Sequence, residues 1–123
     1  MPPTMSGGRC MAYRRGEVVL VPFPFSDLST TKVRPAIVVS NDACHQLEPD
    51  LLLAAITSNV SAATGSFDYL IQHWKEAGLR FSLALKPVLF TLDPQRVIHT
   101  IGVLHLTDLA EIDKRLKLAL GLR

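Results

Sequence analysis

Short apolar runs separated by prolines, glycines and polar turn residues set the strongest limit on how this chain can fold. Each run is rich in Val, Ile, Leu and Ala and only a few residues long, which is typical of buried strands and too short for core helices. We predict strands at 18–21, 34–40, 51–56, 67–71, 83–85, 88–92 and 97–104. Pro87 predicts a bend or bulge between two of these runs, and Gly102 predicts a bulge or a close backbone approach.

The last part of the chain has a different pattern, in which apolar side chains recur at helical spacing. These residues are Leu109, Ile112, Leu116 and Leu120. Thr107 is the predicted N-cap of this helix, and Gly121 is its predicted end. Many short strands followed by one helix predict a mainly β (α+β) fold, a small antiparallel barrel, closed or half-closed, with a C-terminal helix.

Length and charge narrow the possible functions. The 123 residues suit one domain, which we assign to 13–123, after a flexible lead-in rich in Pro and Gly at 1–12. Because 13 basic residues stand against 11 acidic ones, the net charge is only +2 and any anion-binding site has to be local. A mean hydropathy of +0.25 is high for so small a chain, and a surface buried by self-association would account for the surplus of apolar residues. Two cysteines without metal or disulfide spacing, and no apolar run of membrane-spanning length, favour a cytoplasmic protein.

Arg34 stands at the start of the second predicted strand, where Pro35 favours an extended backbone. Its guanidinium is then free to bind an anion, although an ordinary surface arginine is the better explanation when the residue is considered alone. The third strand ends in the polar residues Thr57, Ser58 and Asn59. Such residues are well placed to line a site, and they are equally common in turns.

The segment after Val21 contains two prolines, which remove strand hydrogen-bond donors, and then a series of polar turn residues. We therefore expect the first strand to end at Val21 and a long loop to follow. Phe23 and Phe25 in this loop could stack on a base or dock a partner, and burial beneath the loop fits the sequence about as well.

Several blocks in order resemble the MazF/PemK family of toxin–antitoxin endoribonucleases, namely 15–42, 51–58, 77–93 and 99–104. The resemblance implies an SH3-like barrel, a homodimer, and a metal-independent, sequence-selective endoribonuclease that cleaves single-stranded mRNA without a cofactor. In that chemistry the 2′-hydroxyl of the RNA attacks the adjacent phosphate and leaves a 2′,3′-cyclic phosphate and a 5′-hydroxyl. The resemblance also implies a cognate antitoxin whose acidic, partly disordered tail occupies the RNA groove.

Within this resemblance, Arg34 matches the catalytic arginine of the family and Thr57 matches its threonine. A preorganised guanidinium can donate two hydrogen bonds to the charged phosphorane-like transition state, and the Thr57 hydroxyl can bond a phosphate oxygen. Ser58 is a weaker supporting candidate, because strand alternation directs it to the opposite face. The loop 23–31 is the predicted lid over the groove. The predicted RNA- or antitoxin-binding residues are Phe23, Phe25, Ser26, Asp27, Thr31 and Lys32.

The resemblance weakens at Leu85 and Pro87, which stand where many family members carry a basic and an acidic residue. Neither side chain can transfer a proton, so the general base is unassigned. Lys86 is adjacent and could substitute, although strand alternation is expected to direct it to the other face. Ser82 matches a family serine, and Glu17 is a further possible base, for which structural pairing with a nearby arginine is the simpler explanation. The histidines lack the spacing of a zinc site, so no metal centre is predicted.

Two other functions stay open at this point. The barrel could bind a protein target, as the related gyrase-poisoning toxins do, or be an inactive interaction module, because Leu85 and Pro87 replace the usual charged pair. It could also bind RNA without cleaving it, which would appear as retention of uncut RNA that weakens steeply with salt.

Overall fold

A computed structural model describes residues 13–23, 32–41, 50–60, 65 and 67–122. Within these residues the chain forms six strands followed by one α-helix. The strands are β1 (Glu17–Phe23), β2 (Lys32–Val38), β3 (Leu51–Thr57), β4 (Tyr69–Leu70), β5 (Ala84–Leu92) and β6 (His99–Val103), and the helix is α1 (Leu106–Leu120). A short 3-10 helix at Pro94–Arg96 connects β5 to β6. The lead-in at 1–12 lies outside the described residues.

The six strands form one antiparallel sheet in the order β4-β5-β3-β2-β1-β6, which curls into a half-barrel. The fold is therefore mainly β with a C-terminal helix, which confirms the prediction in its half-closed form. Because β1 pairs with both β2 and β6, the first strand lies inside the sheet and the last strand forms one of its ends.

Both faces of the sheet are buried, which explains why the strand sequences are continuous apolar runs rather than alternating ones. One core lies between the sheet and α1. It includes Val18, Ile37, Ile56, Leu85 and Ile112. The second core lies on the opposite face. It includes Val19, Val38, Leu53, Phe90 and Leu92. Each fully buried side chain of this size contributes about 1.5–3 kcal/mol, so the two cores fix the register of the central strands.

The pairing of β3 with β5 contains the irregularity that Pro87 predicts. Ala54 pairs with Leu89 and Ile56 pairs with Leu85, so the three residues of β5 between these pairs face the single residue Ala55. The two predicted strand pieces are thus one strand with a bulge. The bulge thus adds two residues to β5. Because two is an even number, side chains before and after Pro87 keep the same alternation between the two faces of the sheet.

Gly102 combines the two features that its position in the sequence predicts. The pairing of β1 with β6 shifts between Val18 and Val19, which pair with Gly102 and Thr100. A Cβ atom at Gly102 would lie 2.1 Å from the carbonyl oxygen of Ala77, so only glycine fits at this crossing. This contact places the turn at 73–78 directly against β6.

The prediction that the first strand ends at Val21 is wrong, because β1 continues through Pro22 and Phe23. Pro22 pairs with Val33 and Phe23 pairs with Lys32. On its other edge β1 has no described partner strand beyond Leu20, so the missing N–H of Pro22 breaks no ladder there.

Helix α1 is capped by His105 and not by Thr107. The His105 Nδ1 accepts the backbone N–H of Thr107 at 3.2 Å, since a histidine ring nitrogen can replace the usual oxygen acceptor. The predicted end at Gly121 is confirmed, with a left-handed φ of 72°. Leu120 is 56% exposed, so the buried stripe is shorter than its spacing indicates. No helix in the described part of the chain has the length and apolar character to cross a membrane.

Asp108, in the first turn of α1, is completely buried and anchors the segment around β4 to the helix. Its carboxylate accepts the Tyr69 hydroxyl at 2.6 Å and the backbone N–H groups of Gln72 and His73 at 3.1 and 2.9 Å. Burial and the charge of Asp108 raise the pKa of Tyr69, which keeps its hydroxyl a donor. The Arg115 guanidinium adds a hydrogen bond to the Asp68 carbonyl oxygen at 2.6 Å.

Candidate active site

Arg34 and Thr57 lie just beyond the point where the pairing of β2 with β3 stops. The last pair of this ladder is Ala36 with Ala55, and Arg34 and Thr57 each lie two residues beyond it on their own strands. Because side chains alternate along a strand, both residues lie on the face of Ala36 and Ala55. Both are half-buried, and both line one cavity of about 530 Å³. The structure thus brings together the two residues that the sequence selects.

The cavity is strongly cationic. Its lining includes the cations Lys32, Arg34 and Lys86, and beside them the polar residues Thr57, Ser58 and Asn59. None of the described residues that line it is acidic. In the described part of the chain, the Arg34 guanidinium forms no hydrogen bond or ion pair, so its five donors can turn toward a ligand. The arrangement therefore suits an anion such as a phosphodiester.

The Thr57 hydroxyl is oriented by the backbone that follows β3. Its oxygen accepts the Asn59 N–H at 3.1 Å. A hydroxyl that accepts one hydrogen bond still has its own proton to donate. Thr57 can therefore donate a hydrogen bond into the cavity from a fixed position.

Lys86 lies on the same face as Arg34 and Thr57, contrary to the expectation from the sequence. Thr57 pairs with Ala84, and Lys86 follows two residues later on that face. Leu85 pairs with Ile56 and is fully buried in the helix-side core, so the residue expected to face the site is the one that points away. The expectation for Lys86 was wrong because the charged positions of the family were matched to Leu85 and Pro87. Side chains do alternate regularly between the two faces along β5.

Lys86 is paired with a buried carboxylate. Its Nζ lies 2.9 Å from Asp68 Oδ2, and the exposed fraction is 37% for the lysine side chain and 5% for the aspartate. Burial by itself raises the pKa of Asp68, but hydrogen bonds from Lys86 and the Gly65 N–H, together with the lysine charge, outweigh it and lower the pKa. Asp68 is thus held as a carboxylate. Its role was not predicted, because nothing in its local sequence indicates a partner 18 residues away.

The other candidates are distributed more widely. Ser58 lines the cavity, whereas Ser82 precedes β5 and lines neither this cavity nor the second one described below. Glu17 lies at the opposite end of β1, where its carboxylate accepts the Arg14 backbone N–H. Phe23 lines the cavity and packs edge-to-face on Phe90, with ring centroids 5.6 Å apart. The predicted loop residues Phe25, Ser26, Asp27 and Thr31 lie outside the described residues.

A second cavity of about 570 Å³ adjoins the first, because Arg34, Ile56 and Ser58 line both. It also contains Arg80 and Phe81, of which Phe81 is 57% exposed. Sequence analysis missed this pair, although an arginine followed by an aromatic residue just after a glycine turn was a visible signal. Among the residues described, no three His, Cys, Asp or Glu side chains are grouped so that they could hold a metal ion.

The fold is that of the MazF toxins whose structures are solved. MazF from Deinococcus radiodurans superposes with a TM-score of 0.69 at 23% identity, over 89% of this chain and 97% of that one. An endoribonuclease from a mycobacterial species, in complex with its cognate antitoxin, superposes with a TM-score of 0.70 at 18% identity, over 91% of this chain and 96% of that one.

Residues 14–120 match the sequence profile of the PemK-like, MazF-like toxins of type II toxin–antitoxin systems, and the chain belongs to this family. The endoribonuclease MazF of Staphylococcus epidermidis is 29% identical over 110 residues, which cover 89% of this chain and 92% of that protein. The resemblance found in the sequence blocks is thereby confirmed.

Proposed function

We propose that this protein is the toxin of a type II toxin–antitoxin pair and acts as a sequence-selective endoribonuclease on single-stranded mRNA, without a metal ion. The observation that carries the proposal is the position of Arg34 and Thr57, which lie on the same face of the sheet and line one cavity together with two lysines. Family membership supports the toxin role, and the similarity to a protein named endoribonuclease MazF supports action on RNA.

In the proposed reaction the 2′-hydroxyl of the RNA attacks the adjacent phosphorus and the bond to the 5′-oxygen breaks. The products are a 2′,3′-cyclic phosphate and a 5′-hydroxyl. Negative charge grows on the non-bridging oxygens in the transition state, where the Arg34 guanidinium can donate two hydrogen bonds. The Thr57 hydroxyl donates a third and helps to hold the phosphate in line for attack.

The cationic lining also fits the other proposed ligands. Lys32 and Arg34 would bind successive phosphates of RNA, or the acidic tail of an antitoxin in the same groove. Phe23, at the end of β1, lines the cavity and would contact either ligand, whereas the rest of the predicted lid, 24–31, lies outside the described residues. We place both partners and the protein in the cytoplasm.

The proposal is tested by incubating the protein with a pool of single-stranded RNA in EDTA and identifying the ends of the products. We expect cyclic-phosphate ends, and Arg34→Ala should lower the rate by about a hundredfold to a thousandfold. Arg96→Ala is the matched control, because Arg96 is exposed and lines neither cavity. Intact RNA across the whole pool would refute the proposal, and salt-sensitive retention of uncut RNA would favour a binding module instead.

A further inference from the structure

We propose that Lys86 is a second phosphate-binding cation of this site and that Asp68 is the positioning residue that holds it there. This inference rests on the proposed ribonuclease function and adds two residues to it. It starts from the geometry of β5, where the residues on the face of Thr57 are Ala84 and then Lys86.

The contrast in exposure between the two side chains indicates which of them meets the ligand. Asp68 is 5% exposed and Lys86 is 37% exposed, so the carboxylate is enclosed while the lysine remains accessible at the cavity wall. An ammonium group has three N–H donors, and Asp68 Oδ2 accepts one of them at 2.9 Å. The remaining donors can turn toward a phosphate oxygen.

Asp68 is itself held rigidly, which makes it suitable for positioning a longer side chain. Its Oδ2 also accepts the Gly65 N–H at 3.0 Å, and its backbone carbonyl accepts a hydrogen bond from Arg115 of α1. The next residue, Tyr69, is bonded to the buried Asp108. These contacts connect the helix to Lys86, so the position of α1 sets the position of a cation in the cavity.

A fixed ammonium would be useful at this point of the site because the neighbouring positions cannot supply charge. Leu85 is fully buried in the helix-side core, and Pro87 has no ionisable group. A lysine restrained by a carboxylate loses less conformational freedom on binding phosphate than a free one, and it stabilises a transition state that is more charged than the substrate.

The test compares the wild type with Lys86→Met, Lys86→Arg, Asp68→Asn and the double variant Asp68→Asn/Lys86→Met, using an RNA that the wild type cleaves. We expect Lys86→Met to lower kcat by about a hundredfold with a smaller change in KM. Lys86→Arg should retain most of the wild-type activity. Asp68→Asn should lower kcat in the wild-type background and have no further effect when Lys86 is already Met. A purely structural aspartate would lower activity in both backgrounds.

Two further measurements keep the test decisive if Asp68→Asn folds poorly. Thermal unfolding of each variant identifies loss of folded protein. Binding of an uncleavable RNA with a 2′-deoxy group at the scissile position should weaken in Lys86→Met, with the salt slope reduced by about 0.7. If the wild type cleaves RNA and Lys86→Met cleaves it equally fast, this inference fails and the proposed function stands. If the wild type cleaves no RNA, the proposed function itself fails.

Discussion

At the scale of single residues, the Thr57 side chain offers a clean test of what a hydroxyl contributes. Thr57→Val keeps the shape of the side chain but removes both the acceptor for the Asn59 N–H and the donor to the phosphate. We expect single-turnover cleavage to fall by about a hundredfold, with Thr57→Ser retaining most of the activity. Thr91→Val, an exposed threonine on β5, is the control. Equal loss in Val and Ser variants would contradict a role for the hydroxyl.

The ion pair between Asp68 and Lys86 predicts a pH dependence of stability. The pKa of Asp68 is lowered in the folded protein, so its contribution is complete above the unfolded value of about 4 and is lost as the pH falls through the folded value. The wild type should therefore exceed Lys86→Met in free energy of unfolding at pH 6, and the difference should shrink toward pH 3. Urea titrations at both pH values measure this. A difference independent of pH would show that the pair contributes no such linkage.

Single residues also show what the sequence can and cannot reveal. Arg34 and Thr57 were singled out through the family resemblance, because each residue alone fits an ordinary surface or turn position, and the structure brings both to one cavity. Lys86 was assigned to the wrong face, since choosing between two neighbouring residues requires the β3–β5 register, which depends on pairing across the sheet. The role of Asp108 could not be read from the sequence, because its buried bonds to residues 69–73 depend on a contact between distant segments.

At the scale of secondary-structure elements, the start of α1 depends on an unusual cap. His105 Nδ1 accepts the Thr107 N–H, and the ring stacks on His73 with centroids 4.2 Å apart. We expect His105→Ala to lower the free energy of unfolding by about 1 kcal/mol, and His105→Asn, which supplies another acceptor, to lower it less. Chemical denaturation at pH 8 measures the difference. Equal stability of the wild type and the alanine variant would contradict the role of this cap.

The crossing of β6 over the turn at 73–78 makes a second prediction about elements. In Gly102→Ala the new Cβ atom would meet the Ala77 carbonyl oxygen, which belongs to the backbone and cannot rotate away. We expect a loss of more than about 2 kcal/mol of stability. Gly121→Ala is the matched control, because nothing lies within 4 Å of its Cβ position and only the left-handed φ is strained, at about 1–2 kcal/mol. A smaller loss at Gly102 than at Gly121 would contradict the close approach.

The elements themselves were largely predictable, because short apolar runs and a helical stripe identify them directly. The predicted end of β1 was wrong, because proline is excluded from a strand only where its missing N–H would have a hydrogen-bond partner. Whether such a partner exists depends on the order of the strands in the sheet. The predicted N-cap of α1 was wrong for a similar reason, because the His105 ring can accept the Thr107 N–H only in the conformation that the turn imposes.

At the scale of the whole molecule, the exposed apolar side chains bear on the homodimer that the family resemblance implies. Val33, Phe81, Ile98 and Val103 are each about half exposed or more. Covering such side chains with a second copy is a common way for a small protein to remove them from water. We expect light scattering coupled to size-exclusion chromatography to give about twice the 13.5 kDa of one chain. A monomer at high concentration would contradict the homodimer.

The anchoring of residues 68–73 by α1 determines when, during synthesis of the chain, this segment can become fixed. The ribosome synthesises Arg34, Thr57 and Lys86 before Asp108 and Arg115, which hold the segment that pairs with Lys86. A chain released after Leu104 should therefore lack cooperative thermal unfolding, and one that melts like the full chain would contradict this. Arg34, Thr57 and Lys86 line the cavity without any residue of α1, so the late contribution of the helix would be to fix the segment that holds Lys86, through Asp108 and Arg115.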